Sequence, residues 1–353
     1  MKALVWHDRR CVKIEDVPEP PDPGPGQVKI EVVWCGICGT DLHEYLGGPL
    51  YIPVDEPHPV TGVQAPVILG HEVSGNVIAT GPDVSRVKVG DRVALCPIIG
   101  CLECKWCLSG QMHICPNIAF LGSSWSGGGF AQYLNVHDYM CYVLPDAVSY
   151  EVGALVEPFS ATVRAADQGQ IAPGKTVAVV GAGPMGLMTL QASRFAGAEE
   201  IIVLEIAARR QQLARDCGAT HIVDPSREDA LAAVRKLTGG DGADIVFECV
   251  GAPETGMLAG RLAAPSGRIV VVGVFEEPAL FDYKDLVYGG KTLVGTMGGY
   301  GFYEQAIRVM ASGQFYGDAL ISSKISLDNI ISDGFDALIN HKAEHVKILV
   351  SSA

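Results

Sequence analysis

Residues 176–186 read TVAVVGAGPMG, and this stretch decides the fold of the second half of the chain. Thr176–Val180 is a continuous apolar run rich in valine, as expected of a strand buried on both faces. It leads directly into a Gly-x-Gly-x-x-Gly turn, and the residues that follow, Met185–Phe195, predict a helix. A strand, this turn and a helix in immediate succession predict the first unit of a doubly wound parallel sheet.

Strands and helices continue to alternate after this unit. The predicted strands are Ile201–Leu204, Ile222–Val223, Ile245–Phe247 and Ile269–Val272, and the predicted helices are Arg209–Cys217, Glu228–Leu237 and Glu254–Leu262. Alternation at this spacing is typical of βαβ units, so we expect an α/β Rossmann domain.

The first 155 residues or so have a different pattern, with short strand-like runs separated by glycine and proline. These runs are Met1–Val5, Val28–Val33, Val73–Thr80 and Arg92–Cys96, and Pro18–Gly26 between the first two reads as loop. They predict a β-rich, loop-rich domain. After Thr296 the helix Phe302–Ser312 and the strand Val346–Val350 are expected to return to that domain.

The glycine-rich turn has the features of a dinucleotide-binding site. Gly181 allows the tight turn, Gly183 lets the backbone approach a pyrophosphate, and Gly186 permits close packing of helix and strand. Pro184 and Met185 open the helix, whose free N–H groups would face the phosphates.

An acidic residue at the end of the second strand indicates which dinucleotide is bound. Glu205 could accept hydrogen bonds from both ribose hydroxyls and would repel a 2′-phosphate, so NAD is favoured over NADP. The basic pair Arg209 and Arg210 leaves NADP as the alternative, because it could accept a 2′-phosphate.

Four of the eleven cysteines lie within fifteen residues. Cys101, Cys104, Cys107 and Cys115 have the spacing C-x2-C-x2-C-x7-C, which can close a tetrahedron around a structural zinc ion. Pro116 follows the last cysteine, so an iron–sulfur cluster is one alternative, and reduced free thiols are another.

A second group of possible zinc ligands is dispersed along the chain. It contains Cys38, the His71-Glu72 pair and Glu157, and such a mixed donor set leaves a position on zinc for water or substrate. Cys35, three residues before Cys38, belongs to the same stretch and offers a second thiol.

Composition and charge exclude several classes of protein. The chain has 353 residues, 48% of them hydrophobic and 19% charged, which predicts two folded domains. Its net charge of −14 argues against a nucleic-acid or anionic-membrane surface. Met1–Arg10 carries charges where a signal peptide would be apolar, and no apolar run is long enough to span a membrane. We therefore expect a cytoplasmic protein.

Taken together, these motifs resemble the zinc-containing medium-chain dehydrogenase family. GICGTDLH, GHE, the four-cysteine segment, VEP and GAGPMG occur in the family's order over the whole chain. Within the family, WCGICGTDLHEYLGGPLYIPV and APVILGHE look most like 2,3-butanediol (acetoin) dehydrogenases, and polyol dehydrogenases of the sorbitol type are the alternative. The resemblance implies a GroES-like catalytic domain (1–158 and 297–353), a Rossmann NAD-binding domain (159–296) and a homodimer or homotetramer.

The resemblance also implies roles for residues in the catalytic domain. Cys38, His71 and Glu72 would hold the catalytic zinc, and Glu157 would bind it directly or through water, together with Glu72 or alternately. The proton of a small alcohol or diol substrate would leave through Thr40 and His43, while a hydride passes to NAD and the ketone forms.

In the cofactor domain the resemblance places Arg210 on the adenosine half of NAD. The loops expected to meet the nicotinamide contain Val272, Gly273, Val274, Thr296, Met297 and Gly298.

Overall fold

The computed structural model describes residues 1–351, which form two compact units. The first unit comprises 1–157 together with the described residues from Tyr303 onward, and the second comprises Pro158–Phe302. No helix in the described part of the chain has the length and apolar character needed to cross a membrane.

The N-terminal part of the first unit consists mainly of short strands. These are β1 (Lys2–Asp8), β2 (Cys11–Asp16), β3 (Gln27–Gly36), β4 (Val67–Ile68), β5 (Glu72–Thr80), β6 (Arg92–Leu95), β7 (Ile98–Ile99), β8 (Ala119–Phe120), β9 (Tyr133–His137) and β10 (Cys141–Val143). The α-helices are α1 (Gly39–Gly47), α2 (Lys105–Leu108) and α3 (Tyr150–Ala154), with 3₁₀ turns at Met112–Ile114 and Asp138–Met140. The helix α4 (Val156–Gly169) contains the boundary between the units.

The second unit alternates strands and helices. Its strands are β11 (Thr176–Val180), β12 (Glu200–Leu204), β13 (His221–Val223), β14 (Ala243–Glu248), β15 (Ala263–Val271) and β16 (Thr292–Gly295). Its helices after α4 are α5 (Pro184–Phe195), α6 (Ala208–Asp216), α7 (Ala230–Leu237), α8 (Pro253–Leu262) and α9 (Tyr283–Tyr288). All strand pairs are parallel, in the order β13-β12-β11-β14-β15-β16. This order is that of a doubly wound dinucleotide-binding sheet.

The C-terminal segment belongs to the first unit again. It contains α10 (Tyr303–Ala311), α11 (Gly317–Leu320), β17 (Ile321–Ser326), a 3₁₀ turn (Leu327–Asn329), a π-helical segment (Ile330–Phe335), α12 (Asp336–Asn340) and β18 (Lys347–Ser351). β18 pairs antiparallel with β3, so the end of the chain becomes part of the main sheet.

The main sheet of the first unit has the strand order β10-β6-β5-β3-β18-β17, and β9 also pairs with β3. Two smaller sheets have the orders β2-β1-β4 and β7-β8. The core includes the fully buried side chains of Trp6, Ile30 and Phe130. The Nε1 of Trp6 donates to the carbonyl oxygen of Glu44 at 3.1 Å, which anchors α1 against β1.

The predicted fold class is confirmed, and the differences lie in individual elements. The sequence interpretation missed α1 and α4, because glycines, Pro158 and β-branched residues obscure their helical pattern. It also began one helix too early: α7 begins at Ala230 because the carboxylate of Asp229 accepts hydrogen bonds from Leu231 N and Ala232 N.

Candidate active site

The glycine-rich turn of the second unit joins β11 to α5. Gly181 has a φ of +90°, a conformation that favours glycine, and a Cβ at Gly186 would overlap the carbonyl oxygen of Gly181. Gly183 precedes α5, and Pro184 occupies its first turn. The turn therefore has the shape on which a pyrophosphate can rest against free N–H groups.

Glu205 follows β12 and lies beside this turn. It is 7% exposed. Its Oε2 accepts from Ala182 N at 2.8 Å, and its Oε1 accepts from Ile206 N and Ala207 N at 2.9 and 2.8 Å. Burial lowers the pKa of Arg210, and Glu205 opposes that shift. The predicted acidic residue Glu205 and basic residue Arg210 thus interact electrostatically, and both lie beside the turn.

The loops predicted to meet the nicotinamide follow β15 and β16. Val272 N and Gly273 N donate to the carbonyl oxygen of Glu248 at 2.8 and 2.9 Å, and Val274 is exposed. Thr296 precedes Met297 and Gly298, and its N–H donates to Val271 O at 3.2 Å. The Oγ1 of Thr296 is buried and has no hydrogen-bond partner among the described residues. An orphaned polar atom at this end of the strands fits a bound dinucleotide.

The sequence interpretation missed Glu248, which supports these loops. Its side chain is fully buried at the end of β14, and Oε1 accepts from Val250 N, Gly251 N and Thr255 Oγ1 at 2.9, 2.9 and 2.7 Å. The signal was available, because Glu248 ends β14 much as Glu205 directly follows β12.

The four-cysteine segment of the first unit brings its ligand atoms together. The sulfur atoms of Cys101, Cys104, Cys107 and Cys115 all lie within 4.8 Å of one another. The Cys115 sulfur is 3.5 Å from that of Cys101 and 3.8 Å from that of Cys104. Tetrahedral zinc with Zn–S bonds of about 2.3 Å requires sulfur–sulfur separations of roughly 3.8 Å. Backbone N–H groups of residues 103 and 104 lower the pKa of Cys101 to about 7, whereas burial raises the pKa of Cys107 to about 12. The segment therefore fits a structural zinc ion.

The two predicted proton-relay residues lie on α1, directly after Cys38. Cys38 immediately precedes α1, and its N–H donates to Asp41 Oδ2 at 2.9 Å. The sulfur of Cys38 is 3.6 Å from Thr40 Oγ1. Thr40 and His43 are three residues apart on α1 and therefore share a face.

His71 joins this group from the segment that precedes β5. Its Nδ1 lies 3.7 Å from Asp41 Oδ1, which leaves Nε2 as the ring nitrogen available to a metal. Burial disfavours the charged ring, but Asp41 and Cys38 outweigh that effect and raise the pKa of His71 well above its usual value. Asp41 is buried, as a carboxylate that orients a ligating histidine should be.

The two candidate carboxylate ligands have different surroundings. Glu72 is fully buried, and both of its oxygens accept from Lys347 Nζ, at 2.6 and 2.7 Å. Glu157 lies in the first turn of α4. Burial raises its pKa to about 7, against the opposing effect of His71.

The dispersed ligands are less closely assembled than the cysteines. Among residues 1–351, no second group of three or more such ligand atoms lies within 4.8 Å of one another. A thiolate, an imidazole and a carboxylate nevertheless suit catalytic zinc in their chemistry.

Comparisons with known proteins identify the family to which this chain belongs. Residues 24–146 match the alcohol dehydrogenase GroES-like domain, and residues 184–312 match the zinc-binding dehydrogenase domain. The chain is 42% identical over 351 residues to (R,R)-butanediol dehydrogenase of Bacillus subtilis (strain 168), with 99% of each chain covered. The chain belongs to the zinc-type alcohol dehydrogenase family. It is therefore a zinc-dependent oxidoreductase that uses a nicotinamide dinucleotide.

Two further relatives of this alcohol dehydrogenase support the assignment. Sorbitol dehydrogenase of Bacillus subtilis (strain 168) is 34% identical over 357 residues, with 99% of this chain and 97% of the relative covered. The crystal structure of 2R,3R-butanediol dehydrogenase from Bacillus subtilis superimposes with a TM-score of 0.94 at 41% identity, covering 100% of this chain and 99% of the other. The predicted family and fold are confirmed.

Proposed function

We propose that this chain oxidises 2,3-butanediol to acetoin with NAD and catalyses the reverse reduction. The observation that carries the proposal is the 42% identity, over nearly the full length of both chains, to (R,R)-butanediol dehydrogenase. A polyol substrate of the sorbitol type is the second candidate, favoured by the 34% identity to sorbitol dehydrogenase.

The proposed metal ligands are those predicted from the sequence. Cys101, Cys104, Cys107 and Cys115 hold a structural zinc ion, and the convergence of their sulfur atoms supports this assignment. Cys38, His71 and Glu72 hold the catalytic zinc, and Glu157 binds it directly or through water, together with Glu72 or alternately. Bound zinc lowers the pKa of a hydroxyl group that it contacts, which assists hydride transfer from the adjacent carbon.

Two residues of α1 remove the proton in this proposal. Thr40 accepts it from the substrate hydroxyl, and the imidazole of His43 passes it toward solvent. The position of Thr40 Oγ1, 3.6 Å from the Cys38 sulfur, supports its role beside the metal ligands.

The cofactor assignment is NAD bound along the carboxyl ends of the parallel strands. The turn of Gly181, Gly183, Pro184, Met185 and Gly186 receives the pyrophosphate. Glu205 and Arg210 contact the adenosine half, and Glu205 disfavours a 2′-phosphate because it is buried and acidic. The loops 272–274 and 296–298 contact the nicotinamide half.

We further propose domains of 1–158 with 297–353 and of 159–296, in a cytoplasmic enzyme. The compact units, which divide at residues 157/158 and 302/303, support this organisation.

A homodimer or homotetramer is proposed as the assembly. Leu280, Val287 and Tyr288 are 83%, 75% and 83% exposed in the second unit, and β16 ends its sheet. Exposed apolar side chains and an open sheet edge each support self-association.

Turnover of a substrate panel tests the proposal. Purified enzyme with NAD is mixed with the (R,R), (S,S) and meso isomers of 2,3-butanediol, sorbitol, xylitol or ethanol, and NADH formation is followed by absorbance. We expect a butanediol isomer to give the highest kcat/KM, with two zinc ions per chain by elemental analysis. A preference for sorbitol or xylitol would show that the substrate is a polyol rather than butanediol. The absence of turnover with every diol and polyol would refute both candidate functions.

A further inference from the structure

Glu248 is a buried carboxylate at the carboxyl end of β14, where a loop of the candidate cofactor site begins. Its side chain is fully buried, and Oε1 accepts hydrogen bonds from Val250 N and Gly251 N, both at 2.9 Å. Oε1 also accepts from Thr255 Oγ1 at 2.7 Å, and Oε2 accepts from Gly251 N at 3.2 Å. Hydrogen bonds to a charged acceptor are about twice as strong as neutral ones. The carboxylate therefore fixes the turn at residues 249–252.

The main chain of the same residue holds the neighbouring loop. The carbonyl oxygen of Glu248 accepts from Val272 N and Gly273 N, which directly follow β15, at 2.8 and 2.9 Å. Because β14 and β15 are adjacent parallel strands, the loops that follow them leave the sheet side by side. Glu248 thus binds one loop through its side chain and the other through its carbonyl oxygen.

The two loops contact each other through glycines. Gly251 has a φ of +81°, and a Cβ on it would overlap Val274 O. A Cβ on Gly273 would overlap Gly251 N and would lie 2.6 Å from Glu248 Oε2. Backbone therefore packs directly on backbone, and no side chain lies between these glycines to absorb a shift. A displaced turn at 249–252 would displace the loop at 272–274 as well.

The pyrophosphate turn has anchors of its own. Gly181 N donates to Leu204 O at 2.8 Å. Ala182 N donates to Glu205 Oε2 at the same distance. Val250 lies near this turn, since a Cβ on Gly181 would be 2.5 Å from Val250 Cγ2. Neither hydrogen bond involves the buried carboxylate of β14, so the turn should keep its shape when that carboxylate is removed.

Resting on the proposed function, we propose that Glu248 is a positioning residue for the nicotinamide half of the cofactor. Its carboxylate holds the turn at 249–252, and this turn supports the loop at 272–274 that is proposed to contact the nicotinamide. Without the carboxylate, Val250 N and Gly251 N lose their acceptor, and this cost favours a different path of the turn. The part of the site that receives the adenosine and pyrophosphate groups stays as it is.

A comparison of NADH with ADP-ribose tests this division, because ADP-ribose has the adenosine and pyrophosphate groups but no nicotinamide. The Kd of each ligand for the zinc-containing enzyme is measured by isothermal titration calorimetry. In Glu248→Ala we expect the Kd of NADH to rise about tenfold, the scale of a lost hydrogen bond to a charged group, and that of ADP-ribose to rise less than about twofold. An equal rise for both ligands, or no rise for either, would overturn the proposal.

Two further variants alter the same contact in different ways. Glu248→Gln keeps an oxygen at the Oε1 position, which accepts three of the four hydrogen bonds. It should bind NADH within about threefold of the unaltered enzyme, the cost of one weak hydrogen bond. Gly251→Ala pushes against Val274 O with the carboxylate in place, and it should weaken NADH more than ADP-ribose. A Glu248→Gln enzyme that binds NADH as poorly as Glu248→Ala, or a uniform loss in Gly251→Ala, would contradict the positioning role.

Glu254→Ala and Gly239→Ala are matched controls. Glu254 is an exposed acidic residue in the first turn of α8. Gly239 has a φ of +69°, and a Cβ there has no heavy atom within 4 Å. Both controls should leave the ratio of the two Kd values unchanged. If the unaltered enzyme binds neither ligand, the proposed cofactor site fails, whereas binding of both with a uniform loss in Glu248→Ala refutes only the present inference.

Discussion

The two groups of candidate metal ligands in the first unit differ in how they are assembled. The four cysteines lie within residues 101–115, and their sulfur atoms converge to within 4.8 Å. Cys38, His71 and Glu157 come from the start of α1, the segment before β5 and the first turn of α4. They do not converge to that degree among the described residues.

The difference shows how a local and a dispersed site acquire their geometry. In the cysteine segment, the N–H groups of Cys104 and Cys107 donate to the sulfurs three residues earlier, at 3.3 and 3.4 Å. Short-range backbone bonds therefore place these ligands. At the dispersed site the placement depends on strand pairing, on Asp41, which contacts both the Cys38 N–H and the His71 ring, and on Lys347.

Replacing one ligand in each group should give the largest contrast. We expect Cys38→Ser to lose one zinc ion and to reduce kcat by about 1,000-fold or more, because Lewis-acid assistance is worth several kcal/mol. Cys107→Ser should lose the other zinc ion and lower the unfolding temperature instead. Elemental analysis, turnover and thermal unfolding of both variants measure these effects. An equal loss of kcat in the two variants would contradict the assignment of a catalytic role to one group and a structural role to the other.

Removing the proposed proton relay should separate chemistry from metal binding at the dispersed site. Thr40→Val is expected to lower kcat by roughly 100-fold, the scale of general acid–base catalysis, with zinc content unchanged. Thr40→Ser retains the hydroxyl and should keep most of the activity. Steady-state kinetics with metal analysis measures both, and full activity of Thr40→Val would eliminate the relay.

Filling the space at position 36 should test whether the sheet holds the dispersed site together. A Cβ in Gly36→Ala would overlap Glu72, so we expect the free energy of unfolding to fall by about 1–3 kcal/mol and the catalytic zinc to be held less tightly. The cysteine segment should keep its zinc. Gly47→Ala is a matched control, since a Cβ there has no heavy atom within 4 Å. Denaturant unfolding and zinc titration measure the effects, and equal stability of the two variants would argue against the space at Gly36 being required.

The smallest effect on activity is expected in the second unit. There the glycine-rich turn is joined by a hydrogen bond to Glu205, which is 23 residues away in sequence. Glu205→Ala should raise KM for NAD by about tenfold, the cost of losing a hydrogen bond to a charged group, and should raise KM for NADP less. Glu205→Gln helps to separate charge from hydrogen bonding. Equal losses for NAD and NADP would show that Glu205 does not discriminate between them.

Much of the fold followed from local patterns. The run from Thr176 to Gly186 predicted a parallel sheet, because a buried strand and the start of the next helix are joined by glycines that only this kind of turn requires. The helices α1 and α4 could not be found in the same way. Their sequences contain glycine, proline and β-branched residues, and tertiary packing overrides those weak preferences.

The residues of the candidate site likewise fall into those that the sequence indicated and those that it did not. Spacing alone identified the four cysteines, and family resemblance identified Cys38, His71, Glu157, Thr40 and His43 as candidates. Neither spacing nor resemblance indicated Lys347 or Glu248, because each is a single charged residue in an apolar strand. The partner of Lys347 is distant in sequence, and Glu248 is bonded to backbone N–H groups, which no residue type reveals.

The sequence by itself determined that this protein has a parallel sheet of the dinucleotide-binding type, a segment of four closely spaced cysteines and donor types that suit a zinc site. Those features depend on residues close together in the chain, where the backbone fixes the geometry. Only the tertiary structure decided what Glu72 contacts, since β18 joins β3 at the far end of the chain and carries Lys347 to the space left by Gly36. A buried charge takes the partner that the fold brings within hydrogen-bond distance, and no local pattern specifies that partner.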